Sequence, residues 1–162
     1  MSTFVRRYLI LSGTAASAGA KLHVAILLGG PGWYAFFGAP PGLVDMARAG
    51  NLRAPISCIV IATFLALLAT YAFSGAGVIR HLPYLRTGLA TIACVLILRG
   101  VVFVPLILWR PGTLAGICNC KSVDPFIIVT SVLCLVMGVG YALGALFAPN
   151  KVVRSTPSIP HN

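Results

Sequence analysis

Four long apolar runs constrain this chain more than any other feature. They cover about residues 8–29, 54–75, 87–109 and 125–147. Each is long enough, at about 1.5 Å per helical residue, to cross the roughly 30 Å hydrocarbon layer of a bilayer. A backbone at that depth finds no water to bond to, so it closes its own hydrogen bonds as a helix. The expected fold is therefore all-α, an integral membrane four-helix bundle. Composition agrees, with 59% hydrophobic and 9% charged residues, where soluble domains carry roughly 25% charged residues. Lys and Arg number 12 against 2 acids, a net charge of +10, which in a soluble protein would suggest nucleic acid. Here the cations stand at the edges of the apolar runs, and no basic patch interleaved with aromatics occurs. They read as membrane anchors and orientation signals, and membrane lipids, not nucleic acid, are the expected partners.

The first run follows Arg6 and Arg7, and Ala18-Gly19-Ala20 fits a small-residue cleavage rule, so a signal peptide is the alternative to a retained helix. Its core YLIL is short and apolar character resumes after Ala20, which favours retention; the double arginine lacks the rest of a twin-arginine motif. The second run holds no charge and has Pro55 in its first turn, where proline is tolerated. The third carries Arg99 near its middle and Pro105 near its end, where a kink is expected. The fourth contains Gly140 and Gly144 at a GxxxG spacing, read as an intramolecular packing face in preference to a dimer face.

With the N-terminus inside, Arg6, Arg7, Arg80, Arg86, Lys151 and Arg154 are cytoplasmic, and Arg48, Arg53, Arg110 and Lys121 lie on the far side. That bias favours both termini in the cytoplasm. Residues 148–162 contain proline and serine and little to bury, and are expected to form a disordered cytoplasmic tail.

The first connection, residues 30–53, is long for a bundle, where about two to eight residues are usual. Trp33, Tyr34, Phe36 and Phe37 are expected at headgroup depth as an aromatic belt. Pro40-Pro41-Gly42 breaks the chain, and residues 43–48 can form a short interfacial helix with Asp45 and Arg48 three apart. Two roles stay open: an anchored external loop, or a lid over the polar groups of the first and third runs.

Those polar groups are Lys21, His23 and Arg99. An ionisable residue at the centre of a span costs about 2.5–3.5 kcal/mol on insertion scales, against about 0.3–0.6 returned by each large apolar residue. The third run is rich enough in Leu, Ile and Val to absorb Arg99. Residues 12–20 are nearly all small, so the first run needs protein neighbours, and Gly13, Ala16, Ser17 and Ala20 offer narrow faces for them. Counted from the outer ends, Lys21 lies about 12 Å deep and Arg99 about 15 Å, in one layer. The only acids, Asp45 and Asp124, lie in loops. An anion, a cluster of carbonyls, water or a folded-in Asp45 would complete a site there; the alternative is that each cation snorkels separately. His23, two residues from Lys21, points to another face and reads as a packing residue, and His81 and His161 lie outside the runs. The expected ligand-binding set is Lys21, His23, Arg99, Trp33, Tyr34 and Asp45, with no catalytic residue, metal or cofactor.

Cys58, Cys118 and Cys120 would share an oxidising compartment, and a structural disulfide involving Cys118 or Cys120 is expected; Cys94 and Cys134 are expected buried in spans. Quinone-linked four-helix disulfide generators use two external pairs, where this chain supplies at most one pair plus Cys58.

Gly29-Gly30, Trp33-Tyr34, Phe36-Phe37-Gly38-Ala39, Ser74-Gly75-Ala76-Gly77, Ile79-Arg80, Leu82-Pro83, Leu85-Arg86 and Leu98-Arg99-Gly100 together resemble a group of small bacterial four-helix inner-membrane proteins. The resemblance covers roughly residues 20–100. It implies a bacterial inner-membrane location and supports the architecture, but supplies no chemistry. A fainter similarity to DoxX-like proteins rests on the lysine late in the first run and the proline-containing aromatic linker; this chain lacks their acidic residue in the second run. The functional expectation is a non-enzymatic binding or accessory protein, with an intramembrane cationic site for an anionic lipid, a quinone-like ligand or a partner subunit. The homo-oligomer and the larger membrane complex are both open. The alternatives are a small oligomeric transporter of an anionic solute and, behind it, a thiol-disulfide redox protein.

Overall fold

The computed structural model describes residues 2–109 and 125–147. Among them six helices form and no strand: α1 (Thr3–Gly29), α2 (Pro31–Phe36), α3 (Pro41–Arg48), α4 (Arg53–Gly75), α5 (Leu85–Trp109) and α6 (Pro125–Phe147). Helices α1, α4, α5 and α6 are long and apolar enough to cross a membrane. The all-α expectation holds. The expected disordered tail and the segment with Cys118 and Cys120 lie outside the described residues.

Helix α1 begins earlier than the apolar run because Ser2 caps it, its side chain accepting from the Val5 N–H at 3.4 Å. The added residues carry Val5 into the core, 3% exposed, one turn before Leu9 of the run at 0%. Helix α1 packs chiefly on α4, and α5 chiefly on α6; the two pairs join through α1 and α6, and more sparingly through α4. Among the described residues α1 and α5 make no close backbone approach. Leu9, Leu68, Ala72, Leu89, Met137 and Tyr141 form the centre of the core.

Lipid tails are as apolar as leucine, so close packing and hydrogen bonds have to hold such helices together. The spacing of Gly140 and Gly144 serves this inside the molecule: a Cβ on Gly140 would stand 2.4 Å from the Tyr8 ring, and one on Gly144 2.9 Å from the Leu9 side chain. The bare backbone of α6 lets Tyr8 lie against it and donate its hydroxyl to the Val136 carbonyl at 2.8 Å. Tyr141 donates to the Leu68 carbonyl at 2.8 Å and ties α6 to α4 within the core.

The turn between α4 and α5 is organised by Ser74, which is fully buried. Its Oγ accepts from the Leu82 N–H at 2.9 Å and donates to the Arg80 carbonyl at 3.1 Å. Arg6 donates from Nε to the Ala76 carbonyl at 3.1 Å, fixing the start of α1 to the same turn. Ser74→Ala leaves two backbone groups without their partner. It is expected to lower stability by about 1–3 kcal/mol, read as an earlier unfolding midpoint in detergent; an unmoved midpoint would mean that water replaces the hydroxyl at no loss.

Candidate functional site

The connection between α1 and α4 is a folded cap. Pro31 and Pro41 open α2 and α3 at the first helical position. Gly30 and Gly38 have φ near 73° and Gly50 has φ 69°, so each joint turns through a left-handed residue that glycine adopts without a Cβ clash. Helix α2 packs on α1, α3 on α4, and the two on each other. They enclose a second core of Ile26, Tyr34, Val44, Ala54 and Cys58, with Leu27, Phe37 and Leu43 against it.

Two of the four aromatics keep the exposed position expected of a membrane belt, Trp33 at 46% and Phe36 at 75% exposed. Phe37 is half-buried, edge-on to Phe36 at 5.0 Å. Tyr34 turns inward, 3% exposed, and buries Cys58 at 5%. Its buried hydroxyl has no partner at full hydrogen-bond geometry among the described residues. Burial first, and the neighbouring Cys58 thiol second, push its pKa up to about 12.

Lys21 stands on the outer surface of the α1/α4 pair, exposed, in an open groove of about 420 Å³ lined by Ala20, Lys21, Val24, Ala62, Thr63 and Ala66. It makes no hydrogen bond or ion pair among the described residues. Thr63 donates its hydroxyl to its own helix, at the Ile59 carbonyl 2.8 Å away. His23 is half-buried and its Nδ1–H donates to the Gly19 carbonyl at 2.8 Å, which keeps the ring on α1. Arg99 is exposed on α5 and engaged separately. Since α1 and α5 do not approach among the described residues, Lys21 and Arg99 do not line one cavity there.

Asp45 is not folded in. It pairs with Arg48 at 3.9 Å with both side chains mostly in the open, 73% and 66% exposed, a geometry worth at most a few tenths of a kcal/mol. Among the described residues the cap rests on α1 and α4 and makes no close backbone approach to α5, so what it covers there is Cys58, not Arg99. Cys58, Cys94 and Cys134 are free thiols. Cys94 and Cys134 lie within the candidate spans of α5 and α6, Cys94 on the outer surface of the bundle and Cys134 half-buried. Cys118 and Cys120 lie outside the described residues.

Sequence reasoning missed the Tyr34–Cys58 contact and the α4 wall of the Lys21 groove. The signal for the wall was present, since Ala62 and Ala66 are spaced four apart like the Ala16 and Ala20 noted in the first run. Among the described residues no three of His, Cys, Asp and Glu gather as a metal site would require. No protein family, curated protein or solved structure matches this chain.

Proposed function

We propose that this chain is a multi-pass protein of the bacterial inner membrane with both termini in the cytoplasm. It acts without catalysis, by holding an anionic group at Lys21. The observation that carries this reading is an intramembrane cation with no partner among the described residues, in an open groove. The charge costs about 2.5–3.5 kcal/mol in a lipid-facing position, and no acid of the four runs offsets it. An anion supplied by a lipid, a ligand or another protein would. The resemblance to small bacterial inner-membrane proteins and the cation bias of the loops support the location and the topology.

The test compares wild type and Lys21→Met, extracted with native lipid into nanodiscs and weighed as intact assemblies. The wild type is expected to carry an anionic companion that Lys21→Met loses, while the substituted bundle is as stable as the wild type or more so. A companion retained equally by both would mean that Lys21 snorkels to the surface.

A second reading, movement of an anionic solute, rests on the outward positions of Lys21 and Arg99. The bundle interior is filled by Leu9, Leu68, Leu89 and Tyr141, so that path would run between copies.

A further inference from the structure

We infer that the Lys21 groove seats a transmembrane helix of another protein, carrying a carboxylate at the depth of Lys21. This deepens the proposed function and rests on its reading of Lys21 as the holder of an anionic group.

Charge restricts the occupant first. A second copy of this chain has its only acids at Asp45 and Asp124, outside the apolar runs, and would bring another Lys21 toward the first. Self-association through this groove is therefore disfavoured, and the counter-charge comes from a different chain.

Shape restricts it next. Ala66 lies exposed on α4 beside Ala20, and Ala62, one turn before it and itself buried, forms the floor of the groove. Small residues so spaced let a third helix backbone approach closely, which is what association within lipid requires. Thr63 has its hydroxyl proton committed to Ile59, so Lys21 is the one strong donor the groove offers.

Depth separates a helix from a lipid headgroup. Lys21 lies about 12 Å below the cap-side end of α1, and Ala62 about 6 Å below Cys58, which already lies under the cap. Headgroup phosphates lie beyond the helix ends. The Cα–Cβ bond of a helical residue tilts toward the helix N-terminus, so Lys21 leaves α1 pointing away from the nearer headgroups. A carboxylate borne on a neighbouring helix meets the ammonium at its own level.

The experiment places the full-length protein in phosphatidylcholine vesicles with a labelled synthetic Leu/Ala helix. That helix bears a Gly-xxx-Gly face and one glutamate about 12 Å from its end, and association is read by energy transfer. The glutamate peptide is expected to bind about tenfold more tightly than a matched glutamine peptide. The preference should vanish in Lys21→Met and persist in Lys21→Arg, and Ala66→Leu, at an exposed position, should abolish binding of both peptides. Equal binding of the two peptides, or a glutamate preference that survives Lys21→Met, overturns the inference. If neither peptide is preferred but phosphatidylglycerol is retained in a Lys21-dependent way, the occupant is a lipid phosphate: the helix inference falls and the reading of Lys21 stands. If neither probe depends on Lys21, both fall.

Discussion

Gly138→Leu is expected to separate α6 from α5 and to lower the stability of the bundle by about 3 kcal/mol or more. A Cβ at Gly138 would stand 2.8 Å from the Ile97 Cγ1, 3.1 Å from the Ile97 backbone nitrogen and 3.2 Å from the Leu96 Cβ. The first of these can rotate. The backbone nitrogen moves only if the helix moves, and α5/α6 is one of the two principal pairings of the fold. Overpacking a filled interface costs about 1–3 kcal/mol for small additions, the range expected for Gly138→Ala; leucine adds three more carbons in the same place. Gly144→Ala should cost less, because its added carbon meets the movable ends of the Leu9 side chain at 2.9 and 3.0 Å. Gly42→Ala, in α3 with nothing within 4 Å, should be neutral or gain about 0.5–1 kcal/mol from helix propensity. Equilibrium unfolding in mixed micelles ranks the four proteins. A Gly138→Leu variant as stable as the wild type would show that α5 and α6 do not approach as described.

Tyr34→Ala is expected to raise the rate at which Cys58 reacts with N-ethylmaleimide by about a hundredfold, read on the Cys58 peptide by mass spectrometry. In the folded protein the thiol is reached only when the cap opens, so its labelling rate follows the population of the open state. Truncating a buried aromatic costs about 3–5 kcal/mol, and the lower end of that range corresponds to about two orders of magnitude in the opening equilibrium. Tyr34→Phe removes only a hydroxyl that has no full hydrogen bond. It should leave labelling slow, because deleting an unsatisfied buried polar atom relieves its desolvation. Fast labelling in the wild type, or in Tyr34→Phe but not in Tyr34→Ala, would contradict the cap as described.

The same residue sets a pH window for the cap. Its pKa is raised from 10.0 to about 12 in the folded protein, so the folded state holds the phenol proton more tightly than the unfolded one. The contribution of Tyr34 is complete below pH 10 and is lost as pH rises toward about 12.

The sequence settled what depends on local chemistry. Helix α4 covers its apolar run and begins one residue before it, at Arg53, whose N–H donates to the Asn51 side chain at 3.0 Å just ahead of the helix. The interfacial helix was legible in Pro40-Pro41-Gly42 and the Asp45/Arg48 spacing, and α3 extends it only by its opening Pro41 and Gly42. Helix α2 was not. Six residues are too few to form a stable helix alone, and what holds them is Tyr34 packed on Cys58 and Val44, a contact between segments distant in sequence. The fixed rise per helical residue gives only the distance of Lys21 and Arg99 from the ends of their helices. Which way those residues face was not readable. A helix that is apolar on every side carries no stripe to mark its buried face, so the choice of neighbour was left to small differences in shape, such as the bare backbone at Gly138, Gly140 and Gly144. Only the tertiary structure decided that α1 pairs with α4 and not with α5, and so placed Lys21 exposed in an alanine-lined groove and Arg99 on another helix away from it.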